Sequence, residues 1–166
     1  MTENATARAI IVDPNSFFFE GFRTCLSTGG YVVLSQVRNL EQTLQQLETV
    51  SLDLVVLGSN LDETESLAIC REIICRWPNT KTIILTPHAD DSLFRADAIY
   101  AGASACLQPN ISHAECLSVV ASVMSGHKLF SYEELTHGLQ PIKLTSRERD
   151  MLKLWAEGKK DKMIAE

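Results

Sequence analysis

Several side chains of this sequence stand where chemistry is often done, at the polar ends of short apolar runs. Asp13 follows Ile10-Ile11-Val12, and Thr86 follows Ile83-Ile84-Leu85 with His88 two residues on. Asn60, Asp62, Glu63 and Glu65 come soon after Leu54-Val55-Val56-Leu57. A carboxylate such as Asp13 can help hold a metal ion, cap a helix or accept hydrogen bonds from loop amides. The Thr86 hydroxyl can bond nearby backbone. An imidazole such as His88 can sense pH, line a ligand pocket or simply sit on a surface loop. The acids at 62, 63 and 65 read first as a solvated acidic loop. No G-x-G-x-x-G, P-loop or G-x-S-x-G motif is present, no triad-like set is visible, and the four histidines have no metal-ligand spacing. We therefore expect no catalytic residue, no metal and no cofactor, and hence no enzyme. Cys25, Cys70, Cys75, Cys106 and Cys116 are odd in number and form no C-x-x-C pair, which reads as free buried thiols.

The scaffold that must carry these groups is small. With 166 residues, the chain allows one ordinary domain and a short appendage. Hydrophobic residues are 45% and charged residues 22%, values of a soluble globular chain and not of a disordered one. No apolar run approaches the ~20 residues of a membrane span, and Met1-Thr2-Glu3-Asn4 has no signal-like character, so a cytoplasmic protein without membrane contact is expected. The net charge of −6 is uneven: residues 142–166 carry +2 and the remainder −8. An acidic main domain argues against general nucleic-acid binding by that part.

Apolar runs at 9–12, 31–34, 54–57, 82–85 and 105–107 alternate with stretches of helical spacing. Phe18, Phe22, Cys25 and Leu26 mark a first helix stopped by Gly29-Gly30, capped by Asn15 or Ser16. Leu40, Leu44 and Leu47 mark a second. Leu67, Ile69, Cys70, Ile73 and Ile74 mark a third. Phe94, Ala98 and Ala101, closed by Gly102, mark a fourth. A fifth runs from Ala114 to Met124, with Ala114, Leu117, Val120 and Met124 as its core stripe. Strand and helix alternating five times predict an α/β fold, a doubly wound parallel sheet with helices on both faces. Phe17 and Phe19 cannot both point inward beside Phe18, which leaves a contact surface, a ligand platform or partial burial under loops. Residues 127–143 read as a linker broken by His137-Gly138 and Pro141. Thr145 and Glu148 then form a capping box ahead of Met151, Leu152 and Trp155.

In order and spacing, Ile10-Ile11-Val12-Asp13, Glu20-Gly21-Phe22-Arg23, Asp53-Leu54-Val55-Val56-Leu57, Ile83-Ile84-Leu85-Thr86 and Ala101-Gly102-Ala103 resemble the receiver domain of NarL/FixJ-family two-component response regulators. Leu144-Thr145-Ser146-Arg147-Glu148 and the residues after it resemble the start of a LuxR-type helix-turn-helix domain. The resemblance implies a flavodoxin-like five-stranded sheet of order 2-1-3-4-5, with its site at the carboxyl ends of the strands. It divides the chain into a receiver-like domain at 1–126, a linker at 127–143 and an incomplete DNA-binding domain at 144–166.

A receiver accepts a phosphoryl group on an aspartate after the third strand, helped by a Mg²⁺ held by further acids and by a lysine after the fifth. On that pattern Gly58 stands at the acceptor position, Pro14 at that of a second acid and Pro109 at that of the lysine, while Cys106 takes the place of the switch aromatic. Asp13 and Thr86 remain. The resemblance thus implies a degenerate receiver that keeps the fold without the phosphotransfer. Phe17, Phe19, Asn60, Asp62 and His88 are the candidate ligand or contact residues around the vacated site.

The recognition helix of a LuxR-type domain would lie beyond residue 166, so specific DNA binding is expected of a longer parent and not of this chain. The expected function is a transcriptional regulator controlled by homodimerisation, a partner protein or a small ligand. The alternative is an adaptor or antagonist that pairs with other response regulators.

Overall fold

The structure, a computed structural model, describes residues 6–131 and 134–135. Ten elements alternate strictly: β1 (Arg8–Val12), α1 (Ser16–Thr28), β2 (Val32–Val37), α2 (Leu40–Thr49), β3 (Leu54–Leu57), α3 (Glu63–Arg76), β4 (Lys81–Leu85), α4 (Ser92–Ala101), β5 (Ala105–Leu107) and α5 (His113–Met124). The strands form one sheet of order β2-β1-β3-β4-β5, every pairing parallel. This is the expected doubly wound, flavodoxin-like order. None of the described helices is long and apolar enough to cross a membrane.

Each helix starts on a side chain suited to the task. Asn15, Asn39, Asp62, Asp91 and Ser112 accept hydrogen bonds from first-turn amides, and Ser112 with Glu115 completes a capping box. The central strands are buried on both faces, as parallel strands between helical layers must be. Their alternating side chains feed two cores. Ile10, Val12, Val55 and Leu57 meet Leu47 of α2, Ile73 of α3 and Phe94 of α4; Ala9, Ile11, Leu54 and Val56 meet Leu26 of α1 and Val120 of α5.

Four local expectations need correction. The second strand runs on through Ser35, Gln36 and Val37, because pairing with β1 engages these residues whatever their polarity. Ala114 is exposed; of the expected stripe of α5, Val120 is buried and Leu117 and Met124 pack against the core, and Cys116 and Val123 are buried beside them. Cys75 is exposed at the end of α3, whereas the other four thiols are buried and free. Ile74 is partly exposed, lying over the turn at Gly102. The packed body also continues past Gly126: the Leu129 N–H donates to Ser104 O at 2.8 Å, and Phe130 is buried in the core on the α3–α4 side. The linker residues 132–133 and 136–143, and the whole of 144–166, lie outside the described residues.

Gly102 ends α4 in the left-handed region, at φ 94°. A Cβ there would also come within 2.8 Å of the Ile74 Cβ. Gly21, by contrast, sits inside α1 with no atom near a prospective Cβ. Gly102→Ala is therefore expected to lower stability by more than ~1 kcal/mol, and Gly21→Ala to raise it by roughly 0.5–1 kcal/mol through helix propensity. Urea denaturation of the two variants reads both signs.

Candidate functional site

The carboxyl ends of β1, β3 and β4 bring Asp13, Gly58 and Thr86 to one edge of the sheet. Asp13 has 0% exposure. Its Oδ1 accepts from the Asn15 N–H at 2.7 Å, and its Oδ2 from the Asn60 N–H at 3.2 Å. The Asn60 side-chain amide donates to both oxygens, at 3.1 and 3.0 Å. The backbone around it is pinned as well. Gln36 Nε2 donates to Asp13 O, Arg38 Nη1 to Pro14 O, and the Asp13 N–H to Val37 O. This set satisfies a buried carboxylate with amide donors alone.

Gly58 lies directly beneath that carboxylate. A Cβ at 58 would stand 2.0 Å from Asp13 Oδ2, 2.6 Å from its Cγ and 2.7 Å from its Cβ. The space of an acceptor side chain is thus filled by Asp13 itself. The receiver resemblance implies Mg²⁺ here, and the donors do not fit it. Pro14 and Gly58 carry no side-chain oxygen, and both oxygens of Asp13 are taken by amides. Mg²⁺ asks for several oxygen ligands in near-octahedral array. Among the described residues, no three His, Cys, Asp or Glu side chains gather as a metal would need.

The other candidates divide by location. Thr86 is nearly buried, and its hydroxyl accepts from the His88 N–H at 3.1 Å. His88 itself faces Glu63, Nε2 to Oε1 at 3.5 Å. Asp62 is the N-cap of α3 and not a free loop acid: its Oδ1 accepts from the Thr64 and Glu65 amides. Asp62, Glu63, Thr86 and His88 line one cleft beside the Asp13 cluster. Pro109 belongs elsewhere, in a cleft with Phe22, Cys25 and Cys116 on the opposite side of the sheet. Phe17 is 92% exposed at the start of α1, whereas Phe19 packs against the core beneath that helix. Cys106 is buried, and burial pushes its thiol up to about 12, so it is not a nucleophile.

A family model described as the response regulator receiver domain matches residues 9–121. The chain belongs to that family. It is 26% identical to the transcriptional regulatory protein MctR of Rhizobium johnstonii, over all of this chain and 80% of the relative. It is also 26% identical to the DNA-binding transcriptional activator DevR/DosR of Mycobacterium tuberculosis, over 81% of this chain and 66% of the relative. Among solved structures, the RcsB response regulator of Salmonella typhimurium superposes with TM-score 0.70 at 17% identity, covering 96% of this chain and 88% of that one. A LuxR-family response regulator from Aurantimonas superposes with TM-score 0.69 at 23% identity, covering 80% and 97%.

Sequence reasoning did not single out a contact that ties this receiver to the segment beyond α5. Arg95 of α4 binds Glu134 through both carboxylate oxygens, donates to Ala89 O at 2.9 Å, and stacks 5.1 Å from the centre of the Phe130 ring. Its partner lies outside the helical repeat, in the stretch read as linker, so no spacing rule could reveal it. The Arg95 hydrogen bonds, with smaller help from Ser131, hold the Glu134 carboxyl down to about 2.

Gly58→Ala should cost ~1–3 kcal/mol by overpacking, and the same methyl should cost much less in an Asp13→Gly background, a coupling that a double-mutant cycle resolves. The Glu134 contact lends stability that is complete above its ordinary value of 4.5 and is lost as pH falls through about 2. Glu134→Gln should therefore flatten that acid limb in denaturation curves taken across the window.

Proposed function

We propose that this chain is the receiver part of a transcriptional regulator that works without an aspartyl phosphate. Its receiver-like unit takes in residues 1–126 and the packed stretch after them, the rest of 127–143 is a linker, and 144–166 begin a LuxR-type helix-turn-helix domain. The observation that carries this reading is the Asp13 carboxylate seated over Gly58. An acceptor has no side chain at that position and no room for one, and Pro14 and Pro109 supply neither the second acid nor the cation that phosphoryl chemistry would use.

Such a receiver signals by what it binds. Control through a second copy, a partner protein or a ligand replaces control by phosphorylation. The transcriptional roles named for MctR and DevR/DosR favour a DNA-directed output. DNA recognition then resides in the region that follows the linker.

Calorimetric titration with Mg²⁺, with and without beryllofluoride as a phosphoryl mimic, tests this. The expected result is no binding heat and no change in Tm at millimolar Mg²⁺. A clear Mg²⁺-dependent rise in Tm would overturn it, because only a ligand of the folded state stabilises by linkage.

A further inference from the structure

We infer that the cleft between the start of α3 and the turn after β4 is a binding site for a small, cationic, hydrogen-bond-accepting ligand. This rests on the reading of a receiver freed from phosphorylation and supplies the ligand for it. The cleft holds about 380 Å³, within the usual range for small-molecule sites. Ser66 lines it at 3% exposure, and among the described residues its hydroxyl has no hydrogen-bond partner. Thr86 lines it at 4% exposure; its oxygen accepts from His88, and its own proton has no acceptor among the described residues. Both hydroxyls face the cleft, where an acceptor oxygen of a ligand can take the place of water.

The walls and mouth set the rest of the ligand. Leu61 and Phe94 offer apolar sides suited to a flat body. The carboxylates of Asp62 and Glu63 line the cleft, and no Lys or Arg does. The adjoining groove, which shares Glu63, His88 and Phe94, adds Asp91 and Asp97, again without a Lys or Arg in its lining. His88 lines both as well and faces Glu63 at 3.5 Å, so the acids outnumber the one basic side chain, and an anion such as a phosphoryl group is disfavoured. A ligand with an acceptor oxygen at its inner end and an ammonium group at its outer end meets the hydroxyls and the carboxylates together.

Tyramine is a suitable probe, having a phenolic oxygen, a ring and an ammonium group in line. 4-Hydroxyphenylacetate has a closely similar shape with the charge reversed. In amide-resolved NMR titrations, tyramine should give saturable shifts concentrated in residues 59–66 and 84–94, and 4-hydroxyphenylacetate should not. Ser66→Ala should weaken tyramine up to about tenfold, the worth of one net hydrogen bond, while leaving phenethylamine, which lacks the hydroxyl, unchanged. Glu63→Gln should weaken both amines. The preserved spectrum of each variant shows that it folds. Absence of saturable shifts, shifts centred elsewhere, or equal binding of the acid would overturn the site. Adding Mg²⁺ and beryllofluoride to the same sample separates the two claims. If the resonances of Asp13 and Asn60 respond to that mixture, the phosphorylation-independent reading falls. If they stay silent while tyramine also fails, only the ligand site falls.

Discussion

A carboxylate with no exposed surface must have its oxygens met by donors from the protein, because leaving a buried charge unpaired costs far more than a typical contact gains. Asp13 satisfies this with the Asn15 amide and with both the backbone and side-chain amides of Asn60. Those bonds draw the loop after β3 toward β1 and close the ends of the two central strands. Glycine at 58 is what permits it. The oxygen of Asp13 lies where any side chain at 58 would begin. The ends of β1 and β3 thus hold one another. The site is a structural clasp, and Gly58 and Asn60 are complementary halves of it: one leaves the room, and the other supplies the donors that a cation would otherwise replace.

The turn after β4 lies beside this clasp, across the cleft lined by Ser59 and Thr86. It is held from three sides. The Thr86 hydroxyl accepts from the His88 amide, Gln108 at the end of β5 donates to Pro87 O and to Asp90, and Arg95 of α4 donates to Ala89 O. Arg95 in turn grips Glu134 and covers Phe130. A shift of this turn would therefore strain the anchor of the segment leading toward the residues after 135. The Arg95–Glu134 pair is partly buried and bidentate, the geometry in which an ion pair contributes most specificity. A single exposed pair would hold nothing in register. With the Phe130 ring in the core and the Leu129 amide on Ser104, the segment is fixed by packing, a backbone bond and charge together.

Most of the fold was legible because it rests on local rules. Alternating apolar runs and helical stripes marked all ten elements, and Asn15 announced the first helix. The departures share one cause: a residue's own polarity does not set its environment. Ser35 and Gln36 sit in a strand because β1 pairs with them. Ala114 faces out because the helix phase is set by Cys116 and Val123. At the site, the residue types at 14, 58 and 109 could be read from the sequence by position in the resemblance. The occupation of their space by Asp13 could not, since nothing in a sequence states which way a carboxylate turns. Ser66 was invisible for the same reason. A serine four residues after a helix cap is ordinary, and only the fold shows it beside Thr86.

The charge of that face argues for the kind of signal it can take. A receiver that binds phosphoryl groups must offset the repulsion of its own acids with a metal and a lysine. Here Asp13 is satisfied by amides, and Asp62, Glu63, Asp91 and Asp97 stand around the neighbouring clefts. Asp62 and Asp91 are each committed through one oxygen to a helix cap, so they are fixed in place at little further entropic cost. Glu63 faces the exposed His88 ring. Negative charge on this end of the molecule thus lies in an open groove beside the closed clasp. That arrangement favours a cation that arrives as part of a ligand over a cation that must be stripped of water and caged.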